Sequence, residues 1–268
     1  KTMAVIENEG ANRSNVDAEG AVSLSAEDSS TIDSLAFGVS GSGSTAVGVA
    51  MAANLIVNTI ETLVAGTTLD TDGSLSLTSE SSAIIRTLAV GVSASGSTAV
   101  QVTALGNAIA NTVTSTISGS TVTAAGNVTL SAKDTAPLFI PDWIVAADRA
   151  ADVNAALAKS PISPTGNIFA LTVSVAGSGS TAVNAVLVGN TITNTIRADI
   201  ANSEVHANAG GDIVLTANSD ARILAFTVGV AGSGSLAINA TGFGNVIVNT
   251  VTATITGSTV TTDTGAVT

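Results

Sequence analysis

The sequence predicts an all-β protein: a parallel β-helix (β-solenoid) built from repeats of about 53 residues, with one inserted α-helix. Three observations predict it. A Gly-Ser-Thr-Ala-Val segment recurs at Gly43, Gly96 and Gly179, and as Gly234-Ser235-Leu236-Ala237-Ile238. Eleven residues after each of these glycines stands an Asn (Asn54, Asn107, Asn190, Asn245), and four further on a second one (Asn58, Asn111, Asn194, Asn249). Between the glycines and asparagines the hydropathy alternates with period two, the pattern of a strand rather than a helix.

The first thirty residues read as the tail of a preceding repeat, because Asn15–Leu24 matches Thr121–Leu130. Full units follow at about 31–81, 82–134, 166–219 and 220–268, in one solenoid spanning 1–268. The anchor glycines are 53, 83 and 55 residues apart. The excess in the middle step marks an insertion over 135–165, and the two extra residues in the last step fall at the turn Ala207–Gly211. Insertions confined to turns are what a stack of conserved strands tolerates. The chain opens and closes inside repeats, so it reads as a piece of something longer.

Within a unit, Leu88, Val90 and Val92 alternate with Ala89 and Gly91, and Leu171, Val173, Val175 and Phe226, Val228, Val230 repeat the pattern. Aromatic residues are only 2% of the chain, so small and β-branched side chains are expected to fill a narrow interior. At roughly 18–25 residues per turn, two or three solenoid turns fit each repeat. The constant offset from glycine to asparagine predicts that the four Gly segments stack in one column, with Asn107 and Asn190 on the same side. All four prolines and the single Trp lie in the insertion. Its Ala-rich segment Asp142–Lys159 has an acid at the start, a lysine at the end and Pro161 beyond, which predicts a helix.

Composition excludes several functions. The net charge is −12, and the eight Lys and Arg residues are scattered, so no basic stripe is available for nucleic acid or an anionic membrane surface. No apolar run is long enough for a membrane-spanning helix. Without Cys there is neither a disulfide framework nor a thiolate metal site.

The most specific polar feature is the pair of Asn columns. Coils about 4.8 Å apart would let stacked amides satisfy one another, while Asn also tolerates a left-handed corner. Neither role is catalytic. Asp70-Thr71-Asp72-Gly73 resembles part of a Ca²⁺ loop, but the bidentate Glu is missing, so Asp70 and Asp72 make a weak Ca²⁺ site at best and no other cofactor is implied. His206, the only His, occupies a position filled by Asp70, Thr123 or Thr261 in other units, which marks it as solvent-facing. Arg197 and Asp199 share a strand face and form an ion pair more simply than a lytic site. A Thr row begins with Thr112, Thr114 and Thr116 but is broken by Glu61, Leu63, Arg197 and Asp199, too irregular for an ice-binding surface.

Units of this form resemble the long repeats of giant bacterial surface proteins, the filamentous-haemagglutinin-like adhesins and leukotoxin-like repeat proteins. Ile117–Ala132 and Ile255–Thr268 carry the likeness best. It covers nearly the whole chain except the insertion. The resemblance implies a secreted, extracellular rod at the bacterial cell surface, structural or adhesive and without catalysis. Its expected partners are further copies or repeats end to end, together with host or matrix glycans or proteins. The other readings are a polysaccharide-acting β-helix enzyme and the stalk of a secreted toxin.

Overall fold

A computed structural model describes residues 1–8, 14–140, 156 and 164–268. Three strands, β1 (Thr2–Glu7), β2 (Ser14–Ala18) and β3 (Val22–Asp28), precede the first complete coil. It comprises β4 (Thr31–Ser42), β5 (Thr45–Ile56), β6 (Thr59–Ala65), β7 (Thr67–Thr71) and β8 (Leu75–Ser81). The second repeats it as β9 (Ile84–Ser95), β10 (Thr98–Ile109), β11 (Thr112–Ser118), β12 (Thr121–Ala124) and β13 (Val128–Asp134). The third holds β14 (Ile168–Ser178), β15 (Thr181–Ile192), β16 (Thr195–Ala201), β17 (Glu204–Ala207) and β18 (Ile213–Ser219). The fourth holds β19 (Ile223–Ser233), β20 (Leu236–Ile247), β21 (Thr250–Thr256) and β22 (Thr259–Thr262).

Every strand pairs in parallel with its equivalent one repeat away, so five sheets run along the stack: β4-β9-β14-β19, β5-β10-β15-β20, β1-β6-β11-β16-β21, β2-β7-β12-β17-β22 and β3-β8-β13-β18. The register follows the sequence spacing. Thr98 pairs with Thr45, Thr181 with Thr98, and Leu236 with Thr181. The fold is therefore a parallel β-solenoid with the four Gly segments in one column. Each repeat is a single turn, however, and not two or three. Two 12-residue strands, three shorter ones and their corners use up the whole repeat before the chain meets its own equivalent.

The turn has two parts. Its three shorter strands enclose a trunk whose core is aliphatic: Val64, Leu69, Leu75, Leu77, Ile117, Val122, Val128 and Leu130 are among the buried side chains. The two long strands run out and back as a flat two-layered fin, in contact along their inner faces. Trunk and fin meet at an isoleucine band of Ile56, Ile85, Ile109, Ile168 and Ile192.

Three structural positions explain recurrent small residues. At the corner between the third and fourth strands of the turn, Gly66, Gly119 and Gly257 have φ of 60°, 57° and 58°, and Asn202 fills the same corner at 50°. This left-handed conformation favours Gly and tolerates Asn. At the fin tip the anchor glycines serve close approach instead. A Cβ on Gly96 would lie 2.1 Å from the Gly43 carbonyl oxygen, and one on Gly179 2.2 Å from that of Gly96. Inside the fin, a Cβ on Gly38 would lie 2.3 Å from the Val49 carbonyl oxygen, so glycine sets how closely the two layers approach.

The two extra residues of the third repeat sit where the spacing placed them. The register offset is 83 between β12 and β17 but 85 between β13 and β18, and Ala209 and Gly210 turn there with positive φ. The insertion leaves the stack after β13 and returns before β14 as a short antiparallel closure. The Gly166 N–H donates to the Pro137 carbonyl (2.9 Å) and the Phe139 N–H to that of Pro164 (3.0 Å). Phe139 then stacks on Phe169, with centroids 5.1 Å apart. Apart from Ala156, the helix expected over Asp142–Lys159 lies outside the described residues.

Candidate functional site

The two Asn columns do different work. Asn54, Asn107, Asn190 and Asn245 point into the base of the fin and form an amide ladder. Each Nδ2 donates to the Oδ1 of the next coil, at 2.8 Å in all three steps. Thr87 joins from the opposite layer, donating to Asn107 Oδ1 at 2.8 Å and accepting from Asn54 Nδ2 at 2.9 Å. The second column caps a corner. Oδ1 of Asn111, Asn194 and Asn249 accepts the backbone N–H of the equivalent Asn one coil earlier. Their amide nitrogens reach across the neck to the end of the fifth strand: Asn58 to Asp28, Asn111 to Ser81, Asn194 to Asp134 and Asn249 to Ser219. Neither column uses the left-handed conformation. Among the described residues only Asn202 and Ala209 adopt it without being glycine.

Asp134 is the unusual member of this neck. Its side chain is fully buried, Oδ2 accepts from Asn194 (2.8 Å) and Ser219 (3.2 Å), and Oδ1 has no hydrogen-bond partner. Burial raises its pKa from the ordinary carboxylate value; the two donors oppose that shift and Asp220 adds to it.

The remaining sequence candidates lie on the outside of the trunk. Asp70 pairs with Asp17 on one side and Thr123 on the other, and Asp72 stands exposed at the turn beyond. Among the described residues no three His or acidic side chains converge to hold a metal ion. His206 stacks between Thr123 and Thr261, with Nδ1 2.7 Å from Thr261 Oγ1 and Nε2 3.4 Å from Asp263. Arg197 bonds Asp199 on its own strand (2.8 Å), and Asp199 also accepts from Thr254. The Thr row lies in register with the residues that interrupt it, Thr114 beside Glu61 and Arg197.

What sequence reasoning missed is the direction of the alternation in the fin. The β-branched set faces solvent. In the second coil, beyond Ile84 and Ile85 at its base, β9 buries Thr87, Ala89, Gly91 and Ser93, while Leu88, Val90 and Val92 lie outside. The returning strand β10 likewise buries Gln101, Thr103 and Asn107 and turns Val100, Val102 and Ala104 outward. Small and polar side chains thus line much of the interior, the reverse of the trunk. Ser174, Thr103 and Asn184 form a second buried polar band there, joined by the exposed Asn239, and it is separated from the Asn ladder by Leu105, Val186 and Val188.

Both outer faces of the fin are consequently apolar. The outgoing face carries the columns Leu35-Leu88-Leu171-Phe226, Phe37-Val90-Val173-Val228 and Val39-Val92-Val175-Val230. Leu35, Phe37 and Val39 are 61%, 62% and 78% exposed. The returning face carries Val47, Val100, Val183 and Ile238 in one column, and a bare furrow of Ala53, Gly106, Gly189 and Gly244 in another. Cβ atoms at Gly106, Gly189 and Gly244 would meet nothing, so the fold does not require glycine there. At the foot of the outgoing face a groove of about 400 Å³ lies between Arg86, Leu88, Phe139 and Phe169. A signal was present in the sequence: across the eight fin strands only Asp33 and Arg86 are charged, and they pair with each other.

No known protein family, curated protein or solved structure matches the chain.

Proposed function

We propose that this chain is a structural or adhesive rod segment of an extracellular bacterial surface or filament-forming protein, without catalysis. The observation that carries the reading is the unbroken in-register pairing of all five sheets, a geometry that each further coil extends by about 4.8 Å without a new fold element. Host or matrix glycans or proteins are the adhesive partners proposed.

Negative-stain microscopy at rising concentration should show rods that lengthen by end-on addition, and beads coated with the protein should adhere to immobilised matrix glycans or proteins. Turnover of a polysaccharide by the purified chain, or rods of fixed length that adhere to nothing, would overturn the proposal.

A further inference from the structure

We infer that the fin is a lateral docking surface and that its partner is the fin of a second copy of this chain. Four strands about 4.8 Å apart and about 40 Å long give each face roughly 700 Å² of projected area. A typical monomer's largest apolar patch is about 300–600 Å², whereas a stable contact needs about 800 Å² from each partner. One face-to-face contact would remove on the order of 1,400 Å² from water, above the roughly 1,000 Å² expected of a specific interface. Further coils would enlarge it.

Charge and shape agree with that occupant. Above the Asp33–Arg86 pair neither face carries a charge that another copy would have to neutralise or repel. The outgoing face is ridged by its in-register columns, and the returning face offers the Ala53-Gly106-Gly189-Gly244 furrow, where a ridge can approach the backbone. A lipid bilayer fits less well. The fin tip is a polar rim of Ser42, Ser44, Ser97, Ser180 and Ser235, which insertion would drag through hydrocarbon. In a side-by-side stack the rim stays in water.

Because both faces are apolar, a closed dimer would bury one and leave the other exposed. The two-sided fin therefore fits an open lateral array in which each copy has two neighbours.

Sedimentation velocity at increasing concentration tests this on three chains. They are the wild type, Val90→Lys/Val173→Lys on adjacent strands of the outgoing face, and Ser76→Lys/Thr129→Lys on the trunk exterior as a charge-matched control. The wild type and control should grow in mass with concentration. The fin variant should associate laterally at least tenfold more weakly, leaving only end-on growth if the contact is outgoing face on returning face, or laterally paired rods if like faces meet. Should the Lys pair prevent folding by circular dichroism, Val90→Thr/Val173→Thr keeps the side-chain shape and strand propensity and should weaken association in the same direction. A fin variant that assembles like the wild type would overturn the inference, because growth would then run only through the solenoid ends. So would a wild type that stays monomeric, or one that floats with phosphatidylcholine vesicles instead of self-associating. Loss of end-on growth with fin-dependent association intact would sink the rod proposal and leave this one standing.

Discussion

Asn107 is the residue whose replacement tests the amide ladder most directly. It is 2% exposed and makes three side-chain bonds: Nδ2 donates to Asn190, and Oδ1 accepts from Asn54 and Thr87. In Asn107→Ala, Asn54 Nδ2 keeps Thr87 as an acceptor, but Asn190 Oδ1 loses its donor and the Thr87 hydroxyl its acceptor. Two buried groups left without partners cost about 1–3 kcal/mol each, so the expected loss is about 2–6 kcal/mol. Asn107→Asp should be worse at neutral pH. It places a carboxylate oxygen 2.8 Å from Asn190 Oδ1, an acceptor against an acceptor, and buries a charge. That carboxyl would have a raised pKa. Its destabilisation is therefore relieved below the ordinary carboxylate range, where a protonated oxygen donates to Asn190, and grows as pH rises through the folded value. Urea unfolding followed by circular dichroism, with hydrogen exchange at Asn54 and Asn190, gives the comparison. An Asn107→Ala loss under about 0.5 kcal/mol, or an Asp variant as stable as the Ala variant at pH 7, would refute the ladder as a source of stability.

Two further outcomes follow from the neck and the tip. Asp134→Asn keeps an acceptor for Asn194 and Ser219 while removing a buried charge. Since burial raises the Asp134 pKa, the wild type is favoured while that carboxyl is protonated and loses stability as pH rises through its folded value. The variant should therefore melt higher than the wild type at pH 7, and the gap should close on acidification; a gap independent of pH would contradict this. Gly179→Ala would put its Cβ 2.2 Å from the Gly96 carbonyl oxygen and disturb three inter-coil bonds, from the N–H groups of Gly179, Ser180 and Thr181. Their loss is worth about 2–4 kcal/mol. Amide exchange at the tip should accelerate by about 30-fold or more while the trunk core is unaffected, and unchanged tip exchange would show that the stack absorbs the methyl group.

The sequence by itself determined that this chain is a stack. Parallel in-register pairing places each residue beside its equivalent, so the fixed offsets linking Gly43, Asn54 and Asn58 to their later copies are direct records of contact. The same logic located the insertion after Asp134 and the two extra residues near Ala209, because indels are tolerated only where no ladder is broken. Tertiary structure decided the rest. Whether 53 residues close one turn or three depends on how far each strand runs before it bends, and period two is identical in both cases. Period two also leaves open which face is inside. Leu88, Val90 and Val92 resemble core residues, yet they face solvent, because the opposing layer sits so close that only Gly, Ala, Ser and Thr fit beneath it at Ala89, Gly91 and Ser93. Spacing likewise found both Asn columns without separating their roles. One amide ladder lies between two sheets and the other bridges the neck to Asp134, and that difference arises from strands distant in sequence meeting in space.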